Sequence, residues 1–526
     1  MHRKNNLSEI ENNEYDIVII GGGITGAGIL WQVSKYNYKC LLIEKGDFAS
    51  GTSSKSAKLI HGGLRYLQYG QFGLVKEAIQ ERNYLLLNFP HLVKPLEFLF
   101  PVYSFKWKYR IGMAIYQFFN KGRYTPAYSY LNFEQTKKLI PEINTNGLKG
   151  TFSYYDAVTN DARLCNEIIM IATQQEDSKA LNYCELVDIE KNENHITLKC
   201  LDHIKSKSIN IKTKFIVNAG GAWVDNILSV INKKITTKIC APAKGVHIVL
   251  SANKIPIKQA VLFSSYANDK RMLYAIPWEN NSVIVGSTDT PFKGNINAPQ
   301  IIKDDVNYIL NALSHFVPLL KINKSDIISQ FVGIRPLIHD GKSSKDSSRD
   351  YRIWWENESL LNITGGKLTS FHSMAKELLG ELLKKYPKEI RNKKKRNIDD
   401  NCFNNVSKEI INSLQDKYGE HYSDVLNIIE EDRNNIMPIH SDINVLLAEI
   451  KYFIRFQNCY HLDDLLTRRF SLTYVLKQYD NYQLIIKKFA LIMKSECNWT
   501  EQEYLNEYNT FILQIENGTT IENVLA

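Results

Sequence analysis

The apolar and polar positions are most sharply patterned at residues 16–44, DIVIIGGGITGAGILWQVSKYNYKCLLIE. The pattern predicts a strand, a tight glycine turn, a helix and a second strand that ends in an acid. Further apolar runs predict strands at 195–200 (HITLKC), 215–221 (FIVNAGG), 246–250 (VHIVL), 272–277 (MLYAIP) and 283–287 (VIVGS). Helical spacing marks 304–316 and 371–385. The charged, apolar-poor run RNKKKRNIDDN, residues 391–401, reads as an exposed linker. Beyond it, SKEIINSLQDKYG, INVLLAEIKYFIRFQ, YQLIIKKFALIMK and EQEYLNEYNTFILQIE all have helical spacing.

This order predicts an α/β fold in two domains. Residues 14–390 are expected to form a Rossmann-like nucleotide-binding domain, with an inserted antiparallel sheet within about 80–330 that covers the substrate. The stretch from about 195 to 300 is the expected source of that cover, because FIVNAGG and LLNITGGK read as further glycine-ended strands of the first sheet. Residues 402–526 are expected to form a helical C-terminal domain.

Composition narrows the function classes. At 526 residues, with 44% hydrophobic and 23% charged positions, the chain reads as an ordinary globular protein with a large core. Its net charge of +9 suits an anionic substrate or an anionic lipid surface. Nucleic acid is not expected, because no aromatic-and-basic RNA motif or long basic arm is present. The eight cysteines (40, 165, 184, 200, 240, 402, 459 and 497) show no C-x-x-C spacing, so neither a zinc ribbon nor a paired redox centre is indicated, and no metal is expected. They read as reduced, mostly buried thiols of a cytoplasmic compartment. The polar start MHRKNNLSEIENNEYD has no secretory pattern. No apolar run approaches the roughly 20 residues of a spanning helix. Any membrane link is expected to be peripheral.

The chemistry begins at the first turn. Gly21, Gly23 and Gly26 fit G-x-G-x-x-G, with a strand before and a helix after. In that setting the glycines make the turn, admit a pyrophosphate and pack helix on strand. Glu44 ends the second strand, where a carboxylate binds ribose hydroxyls. GTSSKSAKLIHGGLRYLQYG, residues 51–70, is dense in hydroxyls, glycines and cations. Thr52, Ser53, Ser54 and Ser56 offer hydroxyls to phosphate or flavin oxygens, and Lys58 and Arg65 add charge. Gly62 and Gly63 allow a planar ring to approach. A capped surface loop is the plainer alternative.

Three later cations complete the set: Arg335 in GIRPL, Arg349 in SSRDY and Lys367 in NITGGKLTS. Each alone reads as a surface charge; together, on a dinucleotide fold, they suit a phosphorylated substrate. His247 in AKGVHIVL is the first candidate base, since imidazole titrates near neutrality. A lone strand histidine is more often structural. His61 is a second candidate, placed beside the cofactor.

Taken in order, GGGITGAG, TSSKSAKLIHGGLRYLQYG, NDARL, VNAGGAW, KGVHIV, IPW, VGSTDT, GIRPL, SRDY and GGKLTS resemble the FAD-dependent glycerol-3-phosphate dehydrogenases. LDDLLTRRFS (462–471) resembles that family's C-terminal domain. The resemblance implies an FAD-binding fold of the glycine/D-amino-acid oxidase type. It also implies oxidation of sn-glycerol 3-phosphate to dihydroxyacetone phosphate, with electrons passed to a membrane quinone at the cytoplasmic face of the inner membrane. By motif match, Arg65, Tyr66, His247, Arg335, Arg349 and Lys367 fall on substrate-pocket positions, with His247 and Arg335 in the catalytic role. Gly21, Gly23, Gly26, Glu44, the 52–58 run, His61, Gly62, Gly63, Gly220, Gly366 and Leu368 fall on FAD positions. A second copy of the chain is a further candidate partner.

Two departures stand out. Ala57 replaces a family hydroxyl, and VNAGGAW replaces VNATGPW, with Gly220, Gly221 and Ala222 expected to loosen a flavin-side turn. Residues 98–124 mix aromatics, aliphatics and cations with no acid, which suits a segment lying on anionic lipid; a buried helix with a basic rim is the alternative. An oxidase that passes electrons to oxygen, and a silent FAD-binding membrane scaffold, remain rival readings.

Overall fold

The computed structural model describes residues 2–104, 107–120, 124–232, 238–267, 269, 271–339, 351–391 and 406–517. Apart from Arg391, the expected linker 391–401 lies outside them, as does Arg349.

Among the described residues, the first sheet has eight strands. Its parallel centre runs Leu360–Gly365, Lys207–Asn218, Glu14–Ile20, Cys40–Ile43 and Ser178–Leu181. Tyr351–Asn357 pairs antiparallel at one edge. Ile17, Val18 and Ile19 are all fully buried. That near-continuous apolar run is what a parallel strand covered on both faces requires. Each such side chain contributes about 1.5–3 kcal/mol on burial. The helix Ile24–Val33 packs between Asp161–Thr173 and Phe371–Lys385 on one face. A Cβ at Gly28 would stand 2.8 Å from the Phe371 ring, so the small residue sets how closely those helices approach.

The second sheet has ten strands among the described residues and covers the first. Its spine is the antiparallel pairing of Cys240–Ser251 with Ile327–Ile338. Val93–Val102 and Gly150–Thr159, from much earlier in the chain, form its other half. Of the strands Ile196–Asp202 and Lys207–Asn218, the first was expected in the cover but pairs with the second in the first sheet, where FIVNAGG was expected to lie. Ile209, Ile211 and Thr213 alternate inward along the second of these, and its end pairs in parallel with Glu14–Ile20.

The C-terminal region carries the helices Lys408–Tyr418, Tyr422–Glu431, Leu447–Phe456, Tyr482–Cys497 and Glu501–Asn517. Residues 443–446 were expected to begin a helix. They form the strand Ile443–Leu446 paired with Pro438–His440, with Ile443 and Val445 turned inward at period two. The core of this region also takes in Val249, Ile284 and Phe331 of the cover sheet, so the two parts share apolar contacts. The seven described cysteines form no disulfide, and six are buried.

Candidate active site

A cavity of about 780 Å³ opens at the carboxyl end of the first sheet, where ligands collect in folds of this kind. Gly21 and Gly23 line its floor. Gly21 has φ +114°, a conformation open to glycine. A Cβ at Gly26 would stand 1.9 Å from the Gly21 carbonyl oxygen, so only glycine lets the helix Ile24–Val33 seat on the turn. Ser53 Oγ accepts from the Ile24 N–H at 2.9 Å. Its own hydroxyl proton remains for an anion at the helix N-terminus. Thr52 also lines the cavity, but its hydroxyl donates to the Ile334 carbonyl at 2.6 Å and ties the loop to the cover.

Glu44 accepts from the Gly22 N–H at 2.6 Å and the Gly46 N–H at 3.0 Å. Burial raises its pKa, and those two bonds oppose the rise. Each oxygen keeps a lone pair for a ribose hydroxyl. Gly220, Gly366, Lys367 and Leu368 form the opposite wall. A glycine turn, a helix N-terminus and a ribose-binding acid around one elongated cavity fit a dinucleotide.

His247 and Arg335 come from the cover. On the paired strands, His247 faces Phe331 and Gly245 faces Gly333. A Cβ at Gly333 would meet the Lys55 carbonyl oxygen at 2.6 Å, so this face lies on the 52–58 loop. The His247 ring stacks on Phe331 with centroids 4.7 Å apart. It is 2% exposed, and neither ring nitrogen has a hydrogen-bond partner among the described residues. Burial first, then the charges of Arg335 and Lys58, push its pKa well below the ordinary value. The imidazole is therefore neutral, the form that accepts a proton. Arg335 Nη2 donates to Ser287 Oγ at 2.6 Å and Nη1 to Asp289 Oδ1 at 3.2 Å.

Other expected site residues serve the frame. Ser56 Oγ and Lys58 Nζ both donate to Asp161, each at 2.6 Å, in a buried cluster. Ser54 is buried, and its carbonyl accepts from Lys58. The His61 N–H donates to Thr369 Oγ1, which joins this loop to the Lys367 turn. The Gly62 N–H donates to the Tyr116 hydroxyl and to Asp156. Gly63 packs on the ring of Tyr66, and Lys367 Nζ stands 3.9 Å from that ring's centroid. The Arg65 side chain lies outside the described residues.

The turn carrying Gly220 is held rather than loose. Asn218 Oδ1 accepts from the Gly220 N–H, and the Thr364 hydroxyl donates to the Gly221 carbonyl. Sequence reading missed Asp161, Ser287 and Asp289 as partners, although NDARL and VGSTDT had marked their segments. It also missed the C-terminal residues His461, Asp463, Arg468 and Glu507, which line the same cavity. Two acids and two arginines inside LDDLLTRRFS were the available signal.

Fold and cavity together define a dinucleotide-binding protein, and comparison with known proteins makes it a flavin-dependent oxidoreductase. A profile of the family described as "FAD dependent oxidoreductase" matches residues 16–378, and one described as "C-terminal domain of alpha-glycerophosphate oxidase" matches 361–504. An aerobic glycerol-3-phosphate dehydrogenase of Staphylococcus aureus is 33% identical over 500 residues, covering 89% of this chain and 88% of that protein. Its namesake from Staphylococcus saprophyticus is 37% identical over 397 residues, covering 74% and 71%. Among solved structures, the glycerol-3-phosphate dehydrogenase of Bacillus halodurans complexed with FAD has a TM-score of 0.77 at 26% identity, covering 98% of this chain and 97% of that one. The L-alpha-glycerophosphate oxidase of Mycoplasma pneumoniae, at 18% identity and a TM-score of 0.57, shares the fold. The chain belongs to the FAD-dependent oxidoreductases and, within them, to the glycerol-3-phosphate dehydrogenase family; its cofactor is FAD.

Proposed function

We propose that this protein oxidises sn-glycerol 3-phosphate to dihydroxyacetone phosphate and passes the electrons to a membrane quinone. The observation that supports this reading is a dinucleotide cavity walled by Lys367 and by Pro336, the neighbour of Arg335 on the strand that pairs with His247. Lys367 lines the cavity; Arg335 and His247 do not line it, but sit on the cover strand pair whose Pro336 does. Arg335 and Lys367 hold the phosphate, with Arg65 and Arg349 joining by their motif positions. Tyr66 keeps the Lys367 ammonium in place from its ring face. His247 takes the C2 hydroxyl proton as the alcohol becomes a ketone. FAD, when bound, supplies the two-electron acceptor that this oxidation requires. Fixing phosphate and hydroxyl at once supplies orientation, a large share of the rate. Residues 14–390 are assigned to the redox domain and 402–526 to the helical one.

The helix Trp107–Asn120 supports a membrane role. Met113, Tyr116 and Asn120 turn inward. Trp107, Ile111 and Phe118 are 53%, 51% and 75% exposed, beside exposed Lys108 and Arg110. An apolar face with a cationic rim suits anionic lipid at the cytoplasmic face. Among the described residues, no helix is long and apolar enough to cross a membrane.

A second reading takes oxygen as the acceptor, because the C-terminal match carries an oxidase's description. Anaerobic mixing of the yellow protein with sn-glycerol 3-phosphate tests both. Bleaching that a soluble quinone reverses faster than air supports the quinone reading, and faster recovery in air supports the oxidase. Absence of bleaching with FAD bound overturns the substrate assignment. Liposome co-sedimentation that survives Lys108→Glu with Arg110→Glu overturns the lipid contact.

A further inference from the structure

The cavity does not end at the first domain. Past Glu44 it is walled by His461, Asp463 and Arg468, and by Asn506, Glu507 and Thr510 of the last helix, Glu501–Asn517. Glu44 marks this as the adenosine end, since the acid that ends the second strand binds the ribose of that half.

The wall is fastened to the acid's own loop. Asp47, three residues beyond Glu44, accepts from Arg468 Nε at 2.6 Å and from Arg469 Nη1 and Nη2 at 2.8 and 3.1 Å. The Asn182 amide donates to its other side. Tyr183, which also lines the cavity, donates its hydroxyl to Asp464. The last helix is tied in turn. Glu507 accepts from His461 Nδ1 at 2.6 Å and from the Leu462 N–H at 3.2 Å. Gln514 donates to Asp463 at 3.0 Å.

We propose that the C-terminal helical region completes the FAD site by closing its adenosine end, with the helix Glu501–Asn517 as the outer wall. Its task is retention of the cofactor. The chemistry facing the cavity there is an amide, a hydroxyl and a histidine–glutamate pair. Those groups bond a purine edge and ribose hydroxyls. They do not suit a further phosphate, because Glu44, Asp463 and Glu507 are acids and Arg468 is already occupied by Asp47, Asp463 and Asp464. The inference depends on FAD binding alone, not on the substrate or the electron acceptor.

Thr510 is half-buried on this wall, so Thr510→Trp narrows the cavity without removing a bond that holds the fold. FAD titration of the full-length apoprotein, followed by flavin fluorescence, should show binding at least about tenfold weaker, a change of about 1.4 kcal/mol. ADP should be weakened in parallel, while riboflavin competition and the apoprotein's urea midpoint stay as in the parent. Asn506→Trp, at an exposed position on the same wall, serves if Thr510→Trp lowers the apoprotein's stability, with the same expected result. FAD affinity within about twofold of the parent in a folded variant overturns the proposal. So does a loss that appears with riboflavin and spares ADP.

Discussion

At the adenosine end of the cavity, Asp47 accepts three bonds from two arginines and one from an asparagine. At the substrate end, His247 is equally buried and has no hydrogen bond to either ring nitrogen among the described residues. The first arrangement pairs every charge it buries, with Arg469 Nε left over among the described residues, and that pairing fixes geometry. The second leaves a polar group unanswered, at a cost of about 1–3 kcal/mol. Local rules are broken where function needs them broken. On the proposed reading, one end holds the cofactor and the other keeps an acceptor for a substrate proton.

Breaking the satisfied end should cost most. Asp47→Leu leaves Arg469, 1% exposed, without its acid partner. Removing one partner of a buried pair costs about 3–5 kcal/mol. Urea unfolding of the holoprotein reads this directly, and a loss no larger than a surface change removes the contrast between the ends. At the other end, His247→Asn should slow flavin reduction by glycerol 3-phosphate about a hundredfold or more. FAD content and unfolding midpoint should hold, because no hydrogen bond is lost. An unchanged reduction rate takes His247 out of the mechanism.

Much of the frame was legible because its causes are local. The glycine turn, Glu44 and the strands around them follow from period and spacing. Residues 246–250 were legible as a strand, but the strand runs Cys240–Ser251, because its partner Ile327–Ile338 pairs along the whole length. Ile443–Leu446 was misread because four apolar-rich residues fit either period until a partner strand is known. Arg335 could be picked from GIRPL, whereas its hold by Ser287 and Asp289 depends on a loop, residues 287–289, whose two partners are 48 and 46 residues away. Lys58 read as a phosphate cation because Asp161, its buried partner, is 103 residues distant. Nothing near Thr510 in sequence marks it as a cavity wall.

Titration sharpens the comparison, because the two ends carry opposite signs. Burial lowers His461, but its bond to Glu507 outweighs that and, with Asp464 adding and Arg468 opposing, raises it from 6.5 to about 9. The edge of the Tyr183 ring packs against it. The His461–Glu507 pair is then fully stabilising below pH 6.5 and is lost as pH rises through about 9. His247 is depressed from the same 6.5, so its contribution is present above that value and lost as pH falls below it. Thermal midpoints should show the alkaline fall reduced in His461→Gln and the acid fall reduced in His247→Asn. The reverse assignment would mean that burial, and not Glu507, governs His461.

The smallest expected effect lies between the ends. The Tyr116 hydroxyl accepts from the Gly62 N–H at 3.0 Å and donates to Asp156 at 2.5 Å, while Arg82 holds the same carboxylate. Tyr116 belongs to the helix whose outer face carries Trp107, Ile111 and Phe118, and Gly62 leads into the turn of Tyr66, on whose ring Lys367 rests. In Tyr116→Phe, Gly62 keeps Asp156 at 3.1 Å, so the N–H is not orphaned and the cost is about 1 kcal/mol. That loss falls on the substrate end. Flavin reduction should slow a few-fold and FAD affinity should stay within about twofold, since the adenosine wall is untouched. If FAD affinity dropped while reduction held its rate, the two ends would be one coupled unit, and the division between retention and chemistry would fail.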